Sequence, residues 1–243
     1  MIIITLIKKL ARKIINLFKA ETIYINEINS YSQAGEDAIL AFLFKDKKID
    51  KVNYLDLGTN TPDDCNNTYI FYKNGSKGVC VEADVSLIPV IKNKRPNDVV
   101  INAGVSVSEL NEAPLYVFNI KGLNTFDSQE AQNRVASGKY SITEIVNVPL
   151  VKINNLIANN FNSFPDLLSI DIEGLDLLVL ESLDFDNYPI PVICVETCQY
   201  SENHIRPKDI SIARFLTSKG YELYADTYIN SIFVNKNWFY LNK

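Results

Sequence analysis

The chain has 243 residues, 47% apolar and 22% charged, which fits one large α/β domain of ordinary soluble composition better than two domains. Its formal charge of −5 is unevenly placed: residues 1–20 carry Lys8, Lys9, Arg12, Lys13 and Lys19 and no acid, so the remainder stands at −10, the total less that +5 segment. An acidic body speaks against a protein that tracks nucleic-acid phosphates, and four cysteines without a C-x-x-C pair speak against a zinc site.

The opening run, residues 1–7, is apolar but too short to span a bilayer, and its charges follow it, the wrong order for a secretory signal. Residues 1–25 read as a basic amphipathic helix, with Leu6, Leu10, Ile14, Leu17 and Phe18 near helical spacing. The expected role is packing on the body or on a second copy of the chain as a homodimer. The alternative is peripheral contact with an anionic membrane surface. Residues 26–243 read as a single domain without repeat or linker. Cys80 and Cys194 fall inside apolar runs, as reduced cysteines do in a cytoplasmic protein.

Beyond the first helix, short apolar runs alternate with helical patterns. Strands are expected at 52–57, 77–82, 99–103, 167–170, 192–196, 221–225 and 231–234, without the strict alternation of a half-exposed sheet. Helices are expected at 67–73, 87–93, 175–183 and 210–219. This β–α order predicts a parallel, doubly wound sheet. An insertion at 113–151 separates the third and fourth core strands and holds two more strand candidates, 115–118 and 144–151. The last two strands are joined by a link too short for a helical crossover, so they form an antiparallel hairpin. An α/β three-layer sandwich with a mostly parallel sheet and a C-terminal antiparallel hairpin is the Rossmann-like arrangement of class I methyltransferases.

The chemistry concentrates at strand ends, where doubly wound folds bind their ligands. The first strand ends in Tyr54-Leu55-Asp56-Leu57-Gly58-Thr59-Asn60. Gly58 allows a turn without a Cβ under a ligand, and Asp56 can accept from a ligand ammonium or orient the loop. The second strand ends in Glu82-Ala83-Asp84, about two dozen residues after Gly58, where an acid accepts both hydroxyls of a ribose. Ala83 and Asn102, at the ends of the second and third strands, join the cofactor set. A dinucleotide loop needs several glycines to bring amides to a pyrophosphate. Here Gly58 is followed by Thr59-Asn60-Thr61-Pro62-Asp63-Asp64, with one glycine, a proline and two acids. S-adenosylmethionine, with a ribose and a cationic sulfonium but no phosphate, suits that loop and NAD does not. Asp171, Glu173 and Glu196 bring further acids to the same edge as catalytic candidates, with Asp171 also in the cofactor set, although Asp171 would equally serve as a helix cap.

Several stretches together resemble the FkbM-type methyltransferases. They are Ser169-Ile170-Asp171-Ile172-Glu173-Gly174-Leu175-Asp176, Tyr31-Ser32-Gln33-Ala34-Gly35-Glu36-Asp37, Asn67-Thr68-Tyr69 and Leu123-Asn124-Thr125-Phe126. The resemblance runs from about Tyr31 to Val234. It implies O-methylation, often of sugars in antibiotics, capsules or other glycans. It also implies that Asp56, Gly58, Asn60 and Glu82 hold S-adenosylmethionine, with Gln33 and Glu36 nearby. Thr61-Pro62 departs from it, since many relatives have a glycine there.

The single histidine, His204, follows Glu196 by eight residues, in a loop beyond the fifth core strand. With an unperturbed pKa near ~6.5 it suits a general base for an alcohol nucleophile. The alternative is Mg²⁺ or Mn²⁺ held by Asp171, Glu196 and His204, acidifying the hydroxyl directly; the protein base is favoured. Two rival readings stay open: methylation of a nitrogen or carboxylate of a small molecule, and a non-catalytic membrane-associated binding protein.

Overall fold

The computed structural model describes residues 29–120, 122–172, 174–198 and 208–241. The expected N-terminal helix, Glu173 and His204 lie outside the described residues. Helix α1 (Glu36–Asp46) buries Leu40, Leu43 and Phe44 at helical spacing, with acids in its first turn and Lys45 in its last, as the helix dipole favours. Strand β1 (Tyr54–Leu57), helix α2 (Tyr69–Lys73), β2 (Gly78–Glu82), α3 (Ile88–Lys94) and β3 (Val99–Asn102) follow in alternation. The insertion comprises β4 (Gly104–Val105), β5 (Glu112–Phe118), α4 (Ser128–Ala136) and β6 (Ile142–Val151). It leads through α5 (Ile153–Asn160) to β7 (Leu167–Ile170), α6 (Asp176–Ser182), β8 (Val192–Glu196) and α7 (Ile210–Ser218). The chain then forms β9 (Tyr221–Asp226), β10 (Asn230–Asn235) and α8 (Lys236–Leu241).

Seven strands form one sheet in the order β3-β2-β1-β7-β8-β10-β9. All neighbours are parallel except β10, which runs antiparallel to both β8 and β9. Strand order reverses between β1 and β7, so the crevice expected of a doubly wound sheet opens at their carboxyl ends.

Side-chain alternation divides the core into two layers. Leu55, Leu57, Val79, Val81, Leu168, Ile170, Ile193 and Val195 pack against α5, α6 and α7. On the other face Tyr54, Leu167, Val192, Cys194, Ile232 and Val234 pack against Leu40, Leu43 and Phe44 of α1 and Ile70 and Phe71 of α2. Asp56 shares the parity of Tyr54, and Glu196 that of Cys194. The strand-end acids therefore belong to the face covered by α1 and α2.

The insertion builds its own three-stranded sheet, β4-β6-β5, over a small core of Phe118, Leu123 and Ala131. Its helix α4 was not expected from periodicity, because Ala131 is its single buried residue. It starts instead on a local signal, Asp127 accepting from the N–H groups of Gln129 and Glu130. Helix α5 also departs from expectation. Its asparagines are poor helix formers, and burial of Ile153, Leu156 and Ile157 against the sheet outweighs them. Among the described residues no helix is long and apolar enough to cross a membrane.

Candidate active site

The sheet register lines up the strand ends. Leu57 pairs with both Val81 and Ile170, and Ile170 with Val195, so the residues that follow, Gly58, Glu82, Asp171 and Glu196, form the next row. Glu82 also pairs with Asn102, and Glu196 with Asn230. A row Asn102–Glu82–Gly58–Asp171–Glu196–Asn230 thus crosses the carboxyl edge of the sheet. With strands about 4.8 Å apart, Glu82 and Glu196 stand roughly 14 Å from each other.

Gly58 lies at the switch point, at φ +81°. A Cβ there would sit 1.9 Å from the carbonyl oxygen of Asp171, so the glycine is required by the approach of β7 as well as by its own backbone conformation. The Gly58 and Thr59 N–H groups both donate to Val81 O, at 3.0 and 3.1 Å. The Asn60 N–H, on a residue with φ 50°, donates to Glu82 Oε2 at 2.8 Å. These three amides are consumed within the protein, so none of them is offered to a phosphate. Asp63 is paired with Lys94 at 2.5 Å on the surface, so the acidity of this loop is smaller than its sequence suggests. That the Gly58, Thr59 and Asn60 amides are already bonded is the stronger argument against a pyrophosphate.

Glu82 is 8% exposed. Its Oε1 accepts from the Asp84 N–H at 2.7 Å, and Asn60 holds Oε2. Burial pushes its carboxyl above the usual glutamate range, against the pull of those two amides. An ionised carboxylate has about four acceptor sites, so lone pairs remain for a vicinal diol. Asn102 stiffens the same tip, donating from Nδ2 to the carbonyls of Glu82 and Ala83 at 2.9 and 3.0 Å. These groups fit the ribose of S-adenosylmethionine.

Asp56 carries the loop-orienting role. It is 3% exposed and accepts from Asn66 Nδ2 at 3.0 Å and Thr68 Oγ1 at 2.8 Å. Behind it lies Arg95, fully buried, which donates from Nε to Asp98 at 2.8 Å and from its terminal nitrogens to Thr68 Oγ1 and Asn66 Oδ1. Asp98 also accepts from the Tyr54 hydroxyl and the Gly78 N–H. Burial raises Asp56 above the usual aspartate range, with Arg95 opposing it. Sequence reading missed this cluster. Its one trace was the Asn67-Thr68-Tyr69 motif beside Asn66.

The Ser32–Asp37 stretch acts as a brace. Asp37 accepts from Ser30 Oγ, Ser32 Oγ and the Tyr31 N–H, and Tyr31 O accepts from the Asn66 N–H at 2.8 Å. Glu36 is buried and accepts from Thr227 Oγ1 at 2.6 Å, Asn230 Nδ2 at 3.1 Å and the Ala34 N–H at 2.9 Å. Burial would raise Glu36, but those donors outweigh it and hold the carboxyl below its usual range. The motif thereby ties the loop after β1 to the start of β10, with Gln33 exposed above it.

Asp171 is exposed at the tip of β7, and its N–H donates to Leu57 O at 3.0 Å. The turn toward α6 is organised by Asp176, which accepts from the N–H groups of Ile172 and Gly174 at 3.2 and 3.1 Å. Glu196 is half-buried at the tip of β8. Just beyond it, Cys198 and Lys208 form an antiparallel bridge, and the Asp209 N–H donates to Thr197 O. Cys198 and Lys208, the described residues that flank 199–207 in the sequence, therefore lie beside that tip.

In order of their place along the chain, the seven core strands have the arrangement 3-2-1-4-5-7-6 with the seventh antiparallel, which is the class I S-adenosylmethionine-dependent methyltransferase fold. The family model for the methyltransferase FkbM domain matches residues 56–223. The chain belongs to the FkbM methyltransferase family and is an S-adenosylmethionine-dependent methyltransferase. No curated protein matches it. Among solved structures it is similar to a TehB-like SAM-dependent methyltransferase from Corynebacterium glutamicum, at 12% identity and TM-score 0.40, over 94% of this chain and 97% of that one. It is also similar to an O-methyltransferase from Bacillus cereus in complex with SAH, at 10% identity and TM-score 0.40, over 84% and 82%. A third is the methyltransferase domain of bacterial CtHen1-C, at 11% identity and TM-score 0.40, over 83% and 98%.

Proposed function

We propose that the protein methylates a hydroxyl oxygen of a sugar, in a nucleotide sugar or in a glycan such as a capsule or other surface polysaccharide. The observation that carries this reading is the row of strand ends. Past Glu82 it continues into exposed Asp171, half-buried Glu196 and Asn230, groups that accept or share hydrogen bonds with an uncharged polyhydroxyl acceptor. S-adenosylmethionine supplies an electrophilic methyl group on a sulfonium centre. Glu82 holds its ribose, Gly58 and Asn60 shape the turn beneath it, and Gln33 and Glu36 close the site from the α1 side.

Methyl transfer in line depends on placing the acceptor oxygen, which Asp171 and Glu196 do by accepting from neighbouring hydroxyls. The reacting hydroxyl must also lose its proton, and His204 is the base in this reading. The described residues that flank it in the sequence, Cys198 and Lys208, pair with each other next to Glu196. The competing arrangement places Mg²⁺ or Mn²⁺ on Asp171, Glu196 and His204. Among the described residues no group of three His, Cys, Asp or Glu side chains is placed to hold a metal, and His204 is not one of them.

The test is mass spectrometry of a panel of nucleotide sugars and free glycans incubated with the protein and isotope-labelled S-adenosylmethionine. The expected result is a gain of one labelled methyl on an oxygen of a panel member. Transfer confined to amines or carboxylates would overturn the reading.

A further inference from the structure

Three hydrogen bonds run in series from Glu82 into the insertion. Glu82 Oε1 accepts from the Asp84 N–H at 2.7 Å. The Asp84 side chain, 6% exposed, accepts from the Ser86 N–H at 2.8 Å through Oδ1 and from Asn124 Nδ2 at 3.0 Å through Oδ2. Asn124 Oδ1 accepts in turn from the N–H of Phe118, the last residue of β5, at 3.0 Å. The other oxygen of the same acid, Oε2, is held by the Asn60 N–H. The turn after β5 therefore bonds to Asp84, one of the two residues that cradle Glu82. Arg134 of α4 fixes this turn from behind, donating to Leu123 O and pairing with Glu130 at 2.9 Å.

We infer that Asn124 is a positioning residue, which docks the insertion on the Glu82 loop so that cofactor binding and docking of the insertion are linked. The side-chain chemistry is restrictive. Asp84 offers only acceptors and the Phe118 N–H only a donor, so the residue between them must present one of each, as an amide does. A nearly buried carboxylate deprived of a donor is costly, which makes the link strong enough to move Glu82 through the Asp84 N–H. By linkage, whatever the insertion contributes to cofactor affinity, the cofactor returns to docking of the insertion. This rests on the reading of Glu82 as the ribose acid.

An exchange of the pair tests it. Asn124→Asp sets two carboxylates against each other, whereas Asn124→Asp combined with Asp84→Asn restores every bond: the bond between the two side chains runs with donor and acceptor exchanged, and the Ser86 and Phe118 N–H groups still donate to positions 84 and 124. Calorimetry with S-adenosylhomocysteine should show affinity about 10- to 100-fold lower in Asn124→Asp, the range for a charge-assisted hydrogen bond, and recovered most of the way in the double variant. The ligand should slow amide exchange over residues 116–125 in the wild type and the double variant but not in Asn124→Asp, a response that a purely structural contact would not give. Wild-type affinity in Asn124→Asp, or a double variant no better than the single one, would overturn the inference. If Asn124→Asp does not fold, Asn124→Ala removes the link without adding charge, and wild-type affinity there overturns it equally. Failure of the wild type to bind S-adenosylhomocysteine, or undiminished binding by Glu82→Ala, would instead remove the reading of Glu82 on which the inference stands.

Discussion

Glu82 accepts two backbone N–H groups, one on each oxygen, and this limits what can replace it. Glutamine keeps one of those bonds but turns its own N–H₂ toward the other donor. Glu82→Gln should therefore weaken S-adenosylhomocysteine binding about as much as Glu82→Ala, by about 1.5–3 kcal/mol, as read by calorimetry; a Gln variant with near-native affinity would show that the cradle is not needed. The pH dependence follows from the raised carboxyl. Below its folded value, which lies above the ordinary 4.5, the protonated group no longer accepts from both amides, so affinity falls as pH falls through that value. Apo stability moves the other way, because burying the charge costs free energy that protonation relieves. His204 has its own test. If it is the base, His204→Ala lowers turnover by roughly 10²–10⁴-fold and EDTA has no effect. An active His204→Ala enzyme that EDTA inactivates would transfer the role to a cation on Asp171 and Glu196.

Among the elements, the loop between β1 and α2 depends most on distant partners. Asn66 and Thr68 are held by Asp56 from the strand and by Arg95 from the C-terminal end of α3. Arg95 stands between the carboxylates of Asp98 and Asp56, at 2.8 and 3.7 Å, with no exposed surface. Arg95→Met fills the space but leaves buried carboxylates without their cation, and should destabilise the protein by about 3–5 kcal/mol. The sign of its pH dependence is set by Asp56, which burial raises and Arg95 pulls back down. Without Arg95 the carboxyl rises further, and a raised acid favours the folded state below its folded pKa and loses that advantage as pH rises. Urea unfolding should thus show a smaller deficit in mildly acidic buffer than in alkaline buffer. An equal deficit in both would mean that Asp56 does not sense Arg95.

At the scale of the whole molecule, the site row from Asn102 to Asn230 and the brace at 33–36 are all contained in the acidic body. The +5 segment of residues 1–20 is separate from them in sequence. Deleting residues 1–20 should leave affinity for S-adenosylhomocysteine unchanged within error, with any loss appearing in oligomeric state by light scattering or in sedimentation with anionic vesicles. A truncated chain that no longer binds the cofactor product would make that segment part of the site.

What the sequence by itself determined was the order of layers and the edge on which the chemistry sits. Strand and helix periods are local, and an acid at the end of an apolar strand must emerge at its carboxyl end, so Glu82, Asp171 and Glu196 were readable as members of one edge. The antiparallel hairpin followed from link length alone. Only the tertiary structure decided which acids are available. Asp56 and Asp171 look alike in sequence, yet one is sealed in with Arg95 and the other is exposed at the tip of β7. The turn to α6 is organised by Asp176, which accepts from the N–H groups of Ile172 and Gly174. The bonds that make these distinctions join Asp56 to Thr68, Glu36 to Asn230 and Asp84 to Asn124. A carboxylate's role is set by the donors that surround it, and those donors come from segments that meet only when the sheet and the insertion have packed.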